Sequence, residues 1–178
     1  MKNIYTISTK RIFDILLAVL ILIVTAPFMF ISAIIIFIET RKNPFYLQLR
    51  GITLEDRLFT VYKLRTLHDT THPGKDKQLV LEKHELEDSV TRYGRFLRKT
   101  GLDELPQLFN ILKGEMSFVG PRPLSITDLK IIKEDYPEIY NIRKSLCIEK
   151  EKNGKGRQTT HLPGLTGYWQ VFGDRTKG

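Results

Sequence analysis

Between Ile15 and Ile38 the chain carries no charged side chain, and the run ILLAVLILIVTAPFMFISAIIIFI is almost wholly apolar. As a straight helix it would be about 36 Å long, enough to cover a hydrocarbon layer of roughly 30 Å. A secretory signal does not fit, because the apolar stretch is too long and no A-x-A-like cleavage site follows it. Pro27 stands near the middle. It lacks an N–H and clashes with the carbonyl of Ile23, which predicts a kink or break there. Each half then measures roughly 17 Å, about half the membrane depth. Thr25 is placed to re-satisfy a freed carbonyl with its hydroxyl.

The flanks are basic on both sides: Lys2, Lys10 and Arg11 before, and Arg41, Lys42 and Arg50 after. Lys and Arg prefer the cytoplasmic side of a membrane. A helix that turns back at Pro27 and leaves by the side it entered satisfies this pattern. A kinked helix that crosses fully also satisfies it, since proline is tolerated in membrane helices.

The 178 residues leave room for one domain besides the apolar segment. The formal net charge of +8 calls for a polyanionic partner: nucleic acid, anionic lipid, or nucleotide and lipid phosphates. The apolar segment favours the membrane surface. Nothing resembles a zinc finger, a basic zipper or an aromatic-rich RNA-binding strand, so no nucleic-acid partner is expected. The single cysteine, Cys147, excludes an intramolecular disulfide and a thiolate metal cluster, which suits a reducing cytoplasmic face. Beside Leu146 and Ile148 it reads as a small apolar residue of a helix.

The region Pro44 to Thr66 reads as a strand pair, with Phe45, Leu47 and Leu49 alternating before a polar stretch and Phe59 and Val61 after it. Leu67 to about Lys77 is a polar loop. His68 and His72 lie four apart there without a carboxylate pattern, so no zinc site is expected. A basic amphipathic helix is predicted from about Asp88 to Lys99, with Val90, Tyr93 and Leu97 on one stripe and Arg92, Arg95, Arg98 and Lys99 on another. Such a helix can lie among headgroups, line a phosphate site, or simply be solvated. Leu105, Leu108, Phe109 and Leu112 predict a second helix starting near Asp103 and stopping at Gly114. Helix is expected again from about Thr127 to Lys150 with an interruption at Tyr136-Pro137. A glycine loop (Asn153 to Arg157) and a strand-like run (Gly167 to Phe172) follow. The loop lacks the spacing of a P-loop.

Proline fits a helix only in its first turn, so Pro106 places the start of the second helix close to Leu102 or Asp103. Asp103 and Glu104 then stand at a positive helix end, which favours ionised carboxylates. An unperturbed Asp, with a pKa of about 3.9, is already an anion at neutral pH. It can attack phosphorus without a general base if cations offset the repulsion between two anions. Mg²⁺ with Arg or Lys is the usual means, and Arg98, Arg122, Lys63 and Arg65 are the candidates. Taken alone, Asp103 reads as a helix cap before it reads as a nucleophile.

The string Gly101-Leu102-Asp103-Glu104-Leu105-Pro106-Gln107-Leu108-Phe109-Asn110-Ile111-Leu112-Lys113-Gly114-Glu115-Met116-Ser117-Phe118-Val119-Gly120-Pro121-Arg122-Pro123 closely resembles the central motif of the bacterial sugar transferases. These are small monotopic phosphoglycosyl transferases that start glycan assembly on polyprenol phosphate. Lys10-Arg11-Ile12-Phe13-Asp14, Tyr62-Lys63-Leu64-Arg65-Thr66, Gly94-Arg95-Phe96-Leu97-Arg98 and Pro163-Gly164-Leu165-Thr166-Gly167 with Gln170-Val171 resemble further elements of that family, in the same order. The sequence departs from the pattern at Leu162, where the family has a basic residue before Pro163. In Gln48-Leu49-Arg50-Gly51 the spacing to Phe59 is shifted. The family pattern also continues for some tens of residues past Gly178 with a further helix near the membrane.

The resemblance implies an α+β, predominantly helical fold, with a re-entrant membrane segment (residues 1–40, broken near Pro27) packed on a small α/β cytoplasmic catalytic domain (residues 41–178). It implies a Mg²⁺-dependent transferase at the cytoplasmic face of the bacterial inner membrane, with membrane lipids around it and downstream glycosyltransferases as further partners. Asp103 would attack the phosphate that bears the sugar in a UDP-sugar, release UMP and hold the phosphosugar as an acyl phosphate until undecaprenyl phosphate takes it. This would initiate a capsule, O-antigen, exopolysaccharide or glycoprotein glycan. Glu104 would share the metal with Asp103 or guide the acceptor, and Arg98 and Arg122 match the family's phosphate-facing arginines. The competing expectation is a non-catalytic membrane module that binds lipid phosphate or a partner glycosyltransferase.

Overall fold

The computed structural model describes residues 4–68, 89–147 and 162–166. Its elements run α1 (Ile4–Thr40), β1 (Phe45–Gly51), β2 (Phe59–Leu64), α2 (Arg92–Thr100), a 3₁₀ turn (Leu102–Gln107), α3 (Leu108–Lys113), β3 (Ser117–Val119), β4 (Leu124–Ser125), α4 (Ile126–Asp135), α5 (Pro137–Cys147) and β5 (Gly164–Thr166). The fold is mixed α/β with helices predominating. One sheet has the order β2-β1-β4, and β3 pairs with β5 in parallel, Ser117 opposite Gly164 and Val119 opposite Thr166.

The apolar run forms part of one helix, α1, with Pro27 inside it. The chain is helical on both sides of the proline without a gap. Thr25 donates to the carbonyl of Ile21 (2.7 Å), one turn back, and not to that of Ile23, which Pro27 deprives of a partner. Such back-bonding by threonine favours bending. Only a narrow stripe of the apolar run is buried, Ala18, Met29, Ser32 and Ile36. Ile23, Val24 and Phe30 are about 70% exposed (68%, 70% and 70%), and Phe13, Leu16, Leu20, Ile31 and Ile38 are also bare. A helix apolar all round but covered on one stripe matches a lipid environment, not a soluble core. By length and composition it is long enough to cross a membrane.

The chain divides into two compact units that interleave along the sequence: residues 1–19, 48–61 and 107–178, and residues 20–47 and 62–106. In the first, Ile52, Phe59, Val61, Leu108, Ile111, Met116, Leu129 and Tyr140 are buried. Asp14 of α1 is buried with them, accepting from Lys10 Nζ (3.1 Å) and Ser117 Oγ (2.8 Å), while Lys10 also bonds Ser117. Arg11 donates to the carbonyls of Leu112 (3.2 Å) and Met116 (3.5 Å) at the end of α3. Lys10 and Arg11, read from sequence as part of a membrane flank, are thus engaged by the protein itself. The Ser125 hydroxyl caps α4 by accepting from Asp128 N–H (3.1 Å), and Pro137 opens α5, as the interruption at Tyr136-Pro137 predicts. The Tyr140 hydroxyl accepts from Leu54 N–H (2.8 Å) and donates to Glu55 (2.5 Å), which Lys133 also holds (2.6 Å). These two bonds pull the Glu55 carboxyl down to about 2.

In the second unit Ile36, Leu64 and Leu97 form the core, with Phe28, Tyr93 and Leu102 packed against them. Ser32, fully buried on the apolar helix, bonds the Tyr93 hydroxyl at 2.7 Å. The basic helix begins at Arg92, later than the periodicity suggests, because Thr91 is extended and its hydroxyl takes the Gly94 N–H (2.8 Å). Val90 is buried as expected, but from a bridge to Leu67 and not from the helix. The expected strand pair is present as β1 and β2. A further short strand, β5, lies at Gly164–Thr166. The polar loop with His72, the glycine loop and the run from Gly167 to Phe172, including Gln170 and Val171, lie outside the described residues.

Asn110 is fully buried, and its amide donates to the Thr60 carbonyl (2.7 Å) and to Glu115 (2.7 Å). Asn110→Leu keeps the branched shape but takes a donor from a part-buried carbonyl and a carboxylate. The expected loss is about 2 kcal/mol of unfolding free energy, read by denaturant melts in detergent.

Candidate active site

The acidic pair is positioned by the way α2 stops. Gly101 takes the left-handed conformation (φ 74°), and its N–H returns to the carbonyls of Leu97 and Arg98. Only glycine adopts this backbone without strain. Leu102 then drops onto the Leu97 core, and the Glu104 N–H bonds the Gly101 carbonyl (3.2 Å). Asp103 and Glu104 are fixed on the tight turn between these anchors, both half-buried.

The expected helix start is present as a six-residue 3₁₀ turn leading into the six-residue α3, with Pro106 inside the turn. So short a helix supplies little dipole. The electrostatics of the pair come from side chains and burial. Burial is the largest influence on Asp103 and raises its pKa above the ordinary value of 3.8. The charge of Lys63 pulls it down, the neighbouring Glu104 pushes it up, and Arg98 pulls it down again. The sequence-based expectation of a helix end that simply favours the anion is corrected accordingly.

Lys63, on β2, donates to Glu104 Oε1 at 2.7 Å, with only 15% and 20% of the two side chains exposed. Arg98 lies on the last turn of α2, its Nε bonded to the Thr66 hydroxyl at 2.9 Å. Two of the four candidate cations therefore act on the acidic pair. Arg65 turns its Nε to the Asn43 carbonyl (2.8 Å), bracing the chain after α1. Arg122 belongs to the other unit, half-buried before β4, where its carbonyl accepts from Arg143 (2.8 Å) and Arg50 holds the neighbouring Pro123 carbonyl (3.2 Å). His68 is exposed, and no cluster of three or more His, Cys, Asp or Glu side chains occurs among the described residues.

The donor set suits a hard cation. Two adjacent carboxylates are hard oxygen ligands, and Mg²⁺ is held by one or two carboxylates with water and substrate phosphates completing its shell. Thr66 went unread in the sequence, although it sits in the Tyr62–Thr66 element. No residue spacing shows that its hydroxyl meets Arg98.

The bacterial sugar transferase family model matches residues 5–178. The chain is 41% identical over 166 residues to the UDP-glucose:undecaprenyl-phosphate glucose-1-phosphate transferase of Caulobacter vibrioides, covering 93% of this chain and 54% of that protein. It is 32% identical to the undecaprenyl-phosphate galactose phosphotransferase of Salmonella typhimurium, covering 92% and 32%. It is 33% identical to the uncharacterized sugar transferase EpsL of Bacillus subtilis, covering 92% and 68%. The chain thus spans about half, or less, of the first two relatives' length.

Lys63→Met removes the cation nearest the pair and leaves two carboxylates side by side. The variant is expected to lose about 2 kcal/mol at neutral pH. Protonation relieves that repulsion, so the gap to the parent should narrow as pH falls through the raised Asp103 pKa. Denaturant melts across pH 4–8 (about the range of interest) check both.

Proposed function

The chain belongs to the bacterial sugar transferase family, and from that membership we propose that it moves a sugar 1-phosphate from a UDP-sugar to undecaprenyl phosphate through an aspartyl intermediate on Asp103. The observation that carries this reading is the half-buried Asp103–Glu104 pair with Lys63 and Arg98 acting on it. An ionised carboxylate can be a nucleophile toward phosphorus only where cations offset the charge of the incoming diphosphate.

In the first step an Asp103 oxygen bonds to the phosphorus that bears the sugar, and the bond from that phosphorus to the bridging oxygen breaks. UMP leaves with the bridging oxygen and its electron pair, and an acyl phosphate remains. In the second step an oxygen of undecaprenyl phosphate bonds to the same phosphorus, the acyl bond breaks, and Asp103 returns to the carboxylate. No proton moves in either step. Arg98 faces the diphosphate, and Lys63 holds Glu104 in place. Asp103 and Glu104 would hold Mg²⁺, which when bound neutralises diphosphate charge and eases departure of the nucleotide.

The bare apolar surface of α1 supports a membrane location, and a helix that turns back at Pro27 is the arrangement proposed here. It places the acidic pair at the cytoplasmic surface of the inner membrane. Arg92, Arg95 and Lys99, exposed on α2 beside exposed Phe96, support contact with anionic headgroups. The product would begin a surface glycan that downstream glycosyltransferases extend. A module that only binds lipid phosphate has no need of a half-buried carboxylate pair, and that feature favours the enzyme.

Purified protein given UDP-glucose or UDP-galactose, undecaprenyl phosphate and Mg²⁺ should release UMP. Asp103→Asn should lower that release by on the order of 10³-fold or more. Turnover by Asp103→Asn at the parent rate would remove Asp103 from the role of nucleophile.

A further inference from the structure

We infer that Thr66 is a positioning residue: its hydroxyl sets the guanidinium of Arg98 at the angle from which it serves the acidic pair. The inference rests on the transferase reading above. Its observation is separate, a single buried hydroxyl on the charged head of an otherwise exposed side chain.

Arg98 is exposed on the surface of α2, and a long flexible side chain in that position has no fixed direction of its own. Thr66 supplies one. It is 7% exposed, and its Oγ1 accepts from Arg98 Nε at 2.9 Å. With Nε engaged, the edge that the guanidinium can turn to an anion is the pair of terminal nitrogens, the fork that matches a phosphate.

The acceptor is itself immobilised from two directions. The Thr66 carbonyl accepts from Thr91 N–H (3.0 Å), just ahead of α2. The first turn of α2 then presses Gly94 onto the same peptide. A Cβ at Gly94 would stand 2.4 Å from the Thr66 oxygen and 2.9 Å from its Cα. No side chain fits there, so glycine is what lets helix and strand end approach. The hydroxyl and the helix that carries Arg98 are therefore held in register by one backbone contact. Arg98 in turn acts on Asp103 by its charge.

The test uses the whole chain in the UMP-release assay with UDP-glucose, undecaprenyl phosphate and Mg²⁺. Thr66→Val keeps the shape and removes the acceptor, while Thr66→Ser keeps the acceptor. Thr66→Val should lower kcat/KM for the nucleotide sugar about tenfold, the worth of one hydrogen bond to a charged group. Thr66→Ser should stay within about twofold of the parent. On an Arg98→Gln background, Thr66→Val should cost nothing further, because the two residues act as one. A residue that only supports the fold would lower activity equally on both backgrounds, and that result overturns the inference. Parent-like kcat/KM in Thr66→Val also overturns it. If Thr66→Val does not fold, Thr66→Ala and Thr66→Ser are compared in the same cycle with the same two outcomes. A parent protein that releases no UMP contradicts the transferase reading instead, so the two failures are separable.

Discussion

Two carboxylates on adjacent residues, taken partly out of water, repel each other and resist ionisation. The Lys63–Glu104 ion pair is the contact that makes the arrangement tolerable, and with it the turn that carries Asp103. Without that cation, Asp103, whose pKa burial already raises, would lose the charge that pulls it back down. With it, Glu104 is neutralised and Asp103 is left as the oxygen whose charge is balanced loosely, by Lys63 and Arg98 at a distance. A nucleophile needs that condition. A carboxylate clamped by direct ion pairs would be stable and unreactive.

The rest of the second unit serves that geometry. Gly101 ends α2 so that the chain reverses, Leu102 pins the turn to the Leu97 core, and β2 delivers Lys63 from the other side of the same core. The last part of α1 contributes Ile36 to that core and Ser32 to the Tyr93 hydroxyl, while its other faces stay apolar and bare. The structure thus ties an acidic pair and a bare apolar helix surface into one unit, as the proposed transfer from a nucleotide sugar to a lipid phosphate requires.

Much of this was legible in the sequence, for identifiable reasons. The charge-free run announced α1 because membrane helices need no long-range information to be recognised. The Tyr136-Pro137 break and the alternation of Phe45, Leu47 and Leu49 are local signals that the fold obeys. The acidic pair was legible through its motif, and Pro106 placed the start of its turn within a residue. Charge partners were harder. Lys63, Arg65, Arg98 and Arg122 looked equivalent as basic residues, yet Arg65 is turned to Asn43, and Lys10 and Arg11 bind Asp14, Ser117 and the end of α3. Which cation meets which anion depends on contacts between segments dozens of residues apart, and no periodicity encodes them. Burial of Asp103 was hidden for the same reason.

Asp103 is the proposed carrier of the phosphosugar. Intact mass of the whole chain after mixing with UDP-glucose and Mg²⁺, without acceptor, tests this most directly. The prediction is a mass gain of one hexose phosphate on the parent and none on the Asp103→Asn variant, with the adduct discharged on adding undecaprenyl phosphate. UMP release from the parent with no adduct at any time, or an adduct that survives in Asp103→Asn, would contradict it.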